Sequence, residues 1–293
     1  MSDTPTTTKP RLPADTHLGR IFLRVRDLRR ETGFYRTALG LEVLTETDGY
    51  TELGVDARGL IGLIAAPDAR PAPHAPGLYH LALLLPDRPA LGAFLRATVK
   101  DRTRLQGTAD HGVSEAVYLA DLEGNGIEVY RDLPRSEWPQ SGGEVEMITA
   151  PIDARGVLEA GQPSQGGFKA PAGSTLGHVH LQVSDLQRAR ERFHDVIGFD
   201  VTQSNFPGAL FLSAGGYHHH IGLNTWGSAG RPAAPHGSLG LDWFEIVVPD
   251  AAARAALIER LAANSTSEDS SVGGPPARIY RDADGIGVAV AAG

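Results

Sequence analysis

The sequence predicts an α+β fold made of four units, each running strand–helix–strand–strand–strand, and three observations carry that expectation. Arg20-Ile-Phe-Leu-Arg-Val-Arg-Asp27 alternates like a strand, leads into a helical stretch to Leu39 and resumes at Gly40-Leu-Glu-Val43. The same order returns at His178-Val-His-Leu-Gln-Val-Ser-Asp185, with a helix to Ile197 and then Gly198-Phe-Asp-Val201, at an offset of 158 residues throughout. A second repeat sets His80-Leu-Ala-Leu-Leu-Leu-Pro-Asp87 against Trp243-Phe-Glu-Ile-Val-Val-Pro-Asp250, and these two units close on similar turns, Asp121-Leu-Glu-Gly124 and Asp282-Ala-Asp-Gly285. One such unit cannot cover both faces of a curved sheet, so the units are expected to pair, and duplication of a pair is the economical account.

The units begin near residues 18, 78, 176 and 241. Residues 16–132 hold the first pair in chain order, 133–175 a Pro/Gly/Ser-rich linker with a short helix around Asp153–Ala160, and 176–293 the second pair. Asp27 and Asp185 stand where a helix N-cap is wanted, Gly40 and Gly198 where a left-handed C-cap is wanted. Pro86 and Pro249 stand at the start of the helices of units two and four. In Asp110–Tyr130, two strands flank the turn Asp121–Gly126, where Gly124 and Gly126 are expected to supply positive φ. Strand alternation then puts Ile127 and Val129 on one face, Glu128 and Tyr130 on the other. Met1–Asp15, rich in Thr and Pro, is expected to be a loose arm.

The 293 residues, 41% of them apolar, suffice for a sizeable core. A net charge of -8 with no basic stripe argues against nucleic acid or anionic membrane as a partner. There is no cysteine, so a metal would have to be held by His, Asp or Glu. No apolar run reaches the length of a membrane span and Met1–Thr16 is polar, so a soluble cytoplasmic protein is expected. Eleven histidines is a generous number for an acidic chain.

Four such units with openings of the type H-V-x-L-x-V-x-D resemble the vicinal oxygen chelate superfamily, which includes glyoxalase I, extradiol ring-cleaving dioxygenases and bleomycin-binding proteins. The resemblance runs from about residue 18 to 290, apart from the linker. It implies four βαβββ modules paired into two curved mixed-sheet cups, with metal ligands on the first and last strands of a unit. The first-strand positions are Arg20, His80, His178 and Trp243; the last-strand positions, placed by offset and turn, are Gly62, Glu128, His220 and Ala289. Units one and four offer no plausible ligand. Pairing unit two with unit three, and one with four, would bring His80, Glu128 and His178 together, and this cross pairing is the expected arrangement.

Two histidines and a carboxylate with open positions form the ligand set of non-haem Fe(II) oxygenases, and Mn(II) accepts the same set. With them the resemblance narrows to extradiol dioxygenases, most like the catechol 2,3-dioxygenase type. It implies an aromatic diol and dioxygen as substrates, with His111 and Tyr118, the latter ten residues before Glu128, as catalytic groups. It also implies an acid/base histidine within His218-His219-His220; strand periodicity and the turn alignment favour His220 without settling which of the three faces the metal. His180 shares a strand face with His178 and competes with it as ligand; the opening motif favours His178. His17, His74, His194 and His236 are assigned to loops or a helix surface. A glyoxalase-like isomerase or lyase, which adds a second acidic ligand, and a metal-free protein that sequesters a small aromatic compound are the alternatives. Association into a homo-oligomer is compatible with all three.

Overall fold

The four repeats become four modules whose first strands lie at the centre of two sheets. The computed structural model describes residues 9–162 and 166–293. Module one is β1 (His17–Val25), α1 (Leu28–Ala38), β2 (Glu42–Glu46), β3 (Tyr50–Val55) and β4 (Arg58–Ala65). Module two is β5 (Gly77–Leu85), α2 (Arg88–Lys100), β6 (Leu105–Asp110), β7 (Ser114–Ala120) and β8 (Gly126–Asp132). The linker carries a short hairpin, β9 (Gln140–Ser141) and β10 (Glu144–Val145), and the helix α3 (Ala154–Ala160). Module three is β11 (Thr175–Gln182), α4 (Leu186–Arg190) continued by a π-helical stretch Glu191–Ile197, β12 (Asp200–Gln203), β13 (Ala209–Ser213) and β14 (Ile221–Asn224). Module four is β15 (Gly240–Val248), α5 (Ala251–Asn264), β16 (Ser267–Ser270), β17 (Arg278–Arg281) and β18 (Gly287–Ala292).

The sequence signals act where they stand. Asp27, Asp87, Asp185 and Asp250 cap their helices by accepting from Arg30, Ala90, Arg188 and Ala253 N–H, which satisfies donors the first turn leaves free. Pro86 and Pro249 precede those caps. Gly40 and Gly198 take φ of 64° and 105° and end their helices. Gly124 has φ 96°, but Gly126 is not left-handed. It is small for another reason: a Cβ there would lie 2.1 Å from the Tyr79 carbonyl oxygen on β5. The expected loose arm falls partly on residues 1–8, outside the described residues. From Lys9 onward the chain is fastened to module three, by Lys9 to Asp195 at 2.8 Å, Arg11 to Asp200 at 2.7 Å and Leu12 N–H to Gly198 O at 2.9 Å.

Strand order settles the pairing. One sheet runs β16-β17-β18-β15-β1-β4-β3-β2, joining modules four and one; the other runs β12-β13-β14-β11-β5-β8-β7-β6, joining modules three and two. Both are mixed, with the two first strands antiparallel and each first strand parallel to the last of its module. The cross pairing expected from the ligand positions is thus made within one chain. Alternate residues of the four first strands (Ile21 and Leu23, Leu81 and Leu83, Val179 and Leu181, Phe244 and Ile246) share one buried core with the helices. The residues between them face the two concavities. Modules adjacent in sequence touch at their turns: Glu123 accepts from Arg26 and Asp27 N–H, and Asp284 accepts from Ser184 N–H, at 2.8–2.9 Å. Among the described residues, no helix is long and apolar enough to cross a membrane.

The cup of modules one and four is plugged. Phe22 stacks on Trp243 with ring centroids 4.2 Å apart, and Ile64, Ile279 and Ala289 pack round the pair. Gly62 makes the room, since a Cβ there would come within 2.1 Å of the Phe22 ring. Trp243→Ala should therefore lower unfolding free energy by about 3–5 kcal/mol in a denaturant melt.

A second stability prediction comes from Glu31, fully buried on α1 against the module-two turn. Burial first, then Asp121 and Glu123, raises its carboxyl to about 8. The folded chain holds this proton up to about pH 8, whereas an unfolded glutamate releases it near the usual 4.5. Stability from this group is therefore complete below about pH 4.5 and declines as pH rises toward 8. Glu31→Gln should raise Tm at pH 8.5 and leave it nearly unchanged at pH 4; an equal change at both pH values would contradict the assignment.

Candidate metal centre

The second cup carries polar groups where the first carries the aromatic plug. Strand pairing sets His180 of β11 opposite His80 of β5, and His178 opposite Ala82. Glu128 of β8 lies beside the same Ala82, and Tyr118 of β7 lies opposite Glu128. The small side chain of Ala82 lets the groups on either side of it meet. His80 Nε2 stands 3.0 Å from Glu128 Oε2, His178 Nε2 stands 3.2 Å from the same oxygen, and the two Nε2 atoms are 3.3 Å apart. All three residues are buried, His178 to 1% exposure and Glu128 to 3%. Burial, only partly offset by Glu128, pulls His178 down to about 4, so its ring is neutral at pH 7. Burial alone would raise Glu128, but His178 and then His80 outweigh it and hold the carboxyl well below its usual range.

This donor set fits a divalent ion. Two imidazole nitrogens and a carboxylate oxygen meet in a triangle with sides of 3.0–3.3 Å. Ligands on one face of an octahedron, at metal–ligand distances of about 2.1 Å, are about 3.0 Å apart. The neutral ring of His178 presents a lone pair, and the carboxylate supplies charge. Among the described residues this is the only group of three such side chains with ligand atoms mutually within 4.8 Å.

Beside the triangle lies a cavity of about 930 Å³, and its walls explain several further residues. His111 sits in the turn before β7, where its Nδ1–H donates to the Ile148 carbonyl at 2.6 Å. A neutral ring fixed that way accepts at Nε2, and Tyr118 Oη lies 2.7 Å from it. Burial, with Glu128 next, holds the Tyr118 hydroxyl well above its usual range, so it stays protonated. Ile148 belongs to the linker, which is a strap over the cup as well as a tether: Met147 and Ile148 line the cavity, while Trp138, Val145 and Met147 pack on Phe211 and Tyr217 of module three. At the mouth Trp226 meets Tyr79, His180 and Phe206 with centroids 5.4, 5.6 and 6.3 Å apart. His180, which competed with His178 in the sequence, lines the cavity without joining the triangle, its Nε2 buried and unpartnered. His194, assigned to a helix surface, is buried, with Nδ1 2.7 Å from the Phe199 carbonyl.

His220 requires a correction. Residues Ala214–His220 form a loop that ends at β14, so strand periodicity does not apply to them. His220 turns away from the cavity; its Nδ1 accepts from Ala214 N–H at 3.2 Å and its ring packs on Tyr217 and Phe199. His219 lines the cavity instead, its ring centroid 4.1 Å from that of His178. The cause is a slip in the repeat. Gly62 pairs with Phe22, but Gly222 pairs with His180, so the offset of 158 at the first strands has grown to 160 at the last. The last-strand position of module three therefore belongs to Gly222, whose absent Cβ leaves space for the His180 ring; a Cβ there would lie 2.9 Å from it.

Paired βαβββ modules round a candidate His/His/Glu centre define a class, and comparison with known proteins agrees. A family model described as the Glyoxalase/Bleomycin resistance protein/Dioxygenase superfamily matches residues 17–129. The chain belongs to this superfamily, and within it is an extradiol dioxygenase-type oxidoreductase. Its relative "Catechol-2,3-dioxygenase" of Bacillus subtilis (strain 168) is 44% identical over 242 residues, spanning 80% of this chain and 84% of that protein. Two solved structures share the fold at identities too low to say more. A putative dioxygenase from Bacillus subtilis subsp. subtilis str. 168 has TM-score 0.62 and 12% identity, over 97% of this chain and 86% of that one. Glyoxalase I from Zea mays has TM-score 0.56 and 13% identity, over 94% and 92%.

Proposed function

We propose that the chain opens the ring of a catechol beside its two hydroxyls with dioxygen, at a centre held by His80, His178 and Glu128. The observation that carries this is the donor set itself: three ligand atoms converge, and the position from which a fourth protein ligand would come is Gly222. The choice of a catechol rests on the 44% identical relative, a catechol-2,3-dioxygenase. Fe(II), or Mn(II) in its place, would acidify the two adjacent hydroxyls of the diol and make dioxygen reactive toward the ring.

The chain's own groups do the rest. His219, facing the cavity, takes a substrate proton and returns it as the ring opens. Tyr118 stays protonated and, with its proton directed to His111, offers its oxygen as acceptor to a diol hydroxyl, which fixes which ring bond is presented. Tyr79, Phe206 and Trp226 offer apolar faces to the ring at the mouth, and Met147 and Ile148 of the strap keep water out. Both oxygen atoms of O2 enter the product, a muconic semialdehyde-type compound. A glyoxalase-like reaction, which calls for a second acid, is disfavoured by Gly222. A metal-free aromatic binder is disfavoured by the convergence of a buried carboxylate and two imidazoles on one point beside the cavity, which apolar capture of a ring does not call for.

Oxygen uptake by iron-loaded protein, measured over a panel of catechols with the spectrum of the ring-opened product, tests this. Uptake matched mole for mole by product is expected with at least one catechol. Metal-loaded protein that consumes no oxygen with any of them would reject the proposal.

A further inference from the structure

We propose that Asp132 and His218 are positioning residues for His219: they fix which of its nitrogens faces the cavity, so that the three side chains work as one hydrogen-bonded unit. Asp132 ends β8, four residues beyond Glu128, and His218 is fully buried in the loop before β14. His218 Nε2 lies 2.9 Å from Asp132 Oδ1, and His218 Nδ1 lies 2.9 Å from His219 Nδ1. The direction of these bonds follows from chemistry. A carboxylate only accepts, so the proton of His218 sits on Nε2. In the neutral tautomer of His218 the Nδ1 is then a lone pair, and the contact with His219 is a hydrogen bond when His219 carries its own proton on Nδ1. That leaves His219 Nε2 as a lone pair, with no hydrogen-bond partner among the described residues, on a ring that lines the cavity.

Neighbouring groups hold this arrangement from both sides. Tyr130 donates to Tyr217 at 2.7 Å, and Tyr217 donates to Asp132 Oδ1 at 3.3 Å, so the carboxylate is oriented by a hydroxyl pair as well as by His218. Thr202 donates to the His218 carbonyl at 2.7 Å and pins the loop. The carboxylate–imidazole pair that sets tautomer and ring angle is a common support for a working histidine. Here one more imidazole is inserted between carboxylate and working ring. The Asp132 side chain is 24% exposed, so the buried pair of rings ends on a group in contact with solvent.

The inference rests on the ring-cleaving function, and its test has two readouts. Long-range 1H–15N correlation on the full metal-free chain with 15N-labelled histidine should show His218 protonated at Nε2 and His219 at Nδ1; His219 protonated at Nε2 would overturn the proposal. In the iron-loaded enzyme, Asp132→Asn should lower kcat by at least about tenfold, with metal content and KM for a catechol within about twofold, and Asp132→Glu should recover part of the loss. An unchanged kcat, or a loss that follows loss of metal, would overturn it. If Asp132→Asn does not fold, the tautomers of the unmodified chain still decide. A wild-type chain inert toward every catechol would instead reject the ring-cleaving function and leave the tautomers readable.

Discussion

Glu128→Gln should cost the protein its metal and its turnover together. Glu128 supplies the only carboxylate in the proposed ligand triangle, whose other two corners are imidazole nitrogens, and its Oε2 is the corner shared by the 3.0 and 3.2 Å edges. The amide has the same shape but brings no charge to offset the desolvation of a divalent ion. Losing an outer partner of a metal site costs about 10–100-fold in affinity, so losing the ligand should cost more than about 100-fold. After dialysis the variant should retain under about a tenth of an equivalent of iron or manganese. The fold should survive, because Glu128 lies in a fully paired strand between β5 and β7 and the variant removes a buried charge without opening a cavity. Circular dichroism and metal analysis on one preparation separate the two. A Glu128→Gln protein that kept a full equivalent of metal would move the centre elsewhere in the cup.

His219→Ala and His220→Ala should part company. His219 lines the cavity, and losing a positioned acid/base group lowers kcat by about 10²–10⁴-fold. Metal content should stay at wild-type level, since the three proposed ligands are untouched. His220 lies behind the loop, where its Nδ1 accepts from Ala214 N–H and its ring packs on Tyr217. Burial pulls it down to about 3, so it is neutral at working pH and serves the loop as an acceptor and a filler. Its removal should cost about 1–3 kcal/mol of stability and change kcat by less than about threefold at a temperature where the variant is folded. The opposite assignment, a slow His220→Ala and a normal His219→Ala, would return the acid/base role to the residue the sequence favoured.

That residue shows where sequence ceases to be informative. The starts of the four modules were legible to within about a residue because each combines strand alternation with an Asp cap, two local signals that reinforce one another. The cross pairing was legible because His80, His178 and Glu128 occur in modules two and three only, and a metal site needs them in one place. A two-residue gain between β11 and β14 leaves no local mark. Strand composition either side is unaffected, so an offset that holds at His178 carries the last-strand position to His220 rather than Gly222. By composition the strap is only a linker, because its hold on the cup is long-range: Trp138 and Met147 meet Tyr217 and Phe211 only after the modules have paired. By sequence Gly126 is a turn glycine, while its actual constraint is the approach of the Tyr79 carbonyl from another strand. Local chemistry shows in the sequence; contact across modules shows only once the fold brings the partners together.

The most direct test is to grow crystals of protein loaded with Fe(II) under anaerobic conditions and collect anomalous data at the iron edge. A single peak should appear within about 2.2 Å of His80 Nε2, His178 Nε2 and Glu128 Oε2 together. A peak held instead by His180 and His219, or no peak in protein that still consumes oxygen with a catechol, would contradict the assignment of the centre.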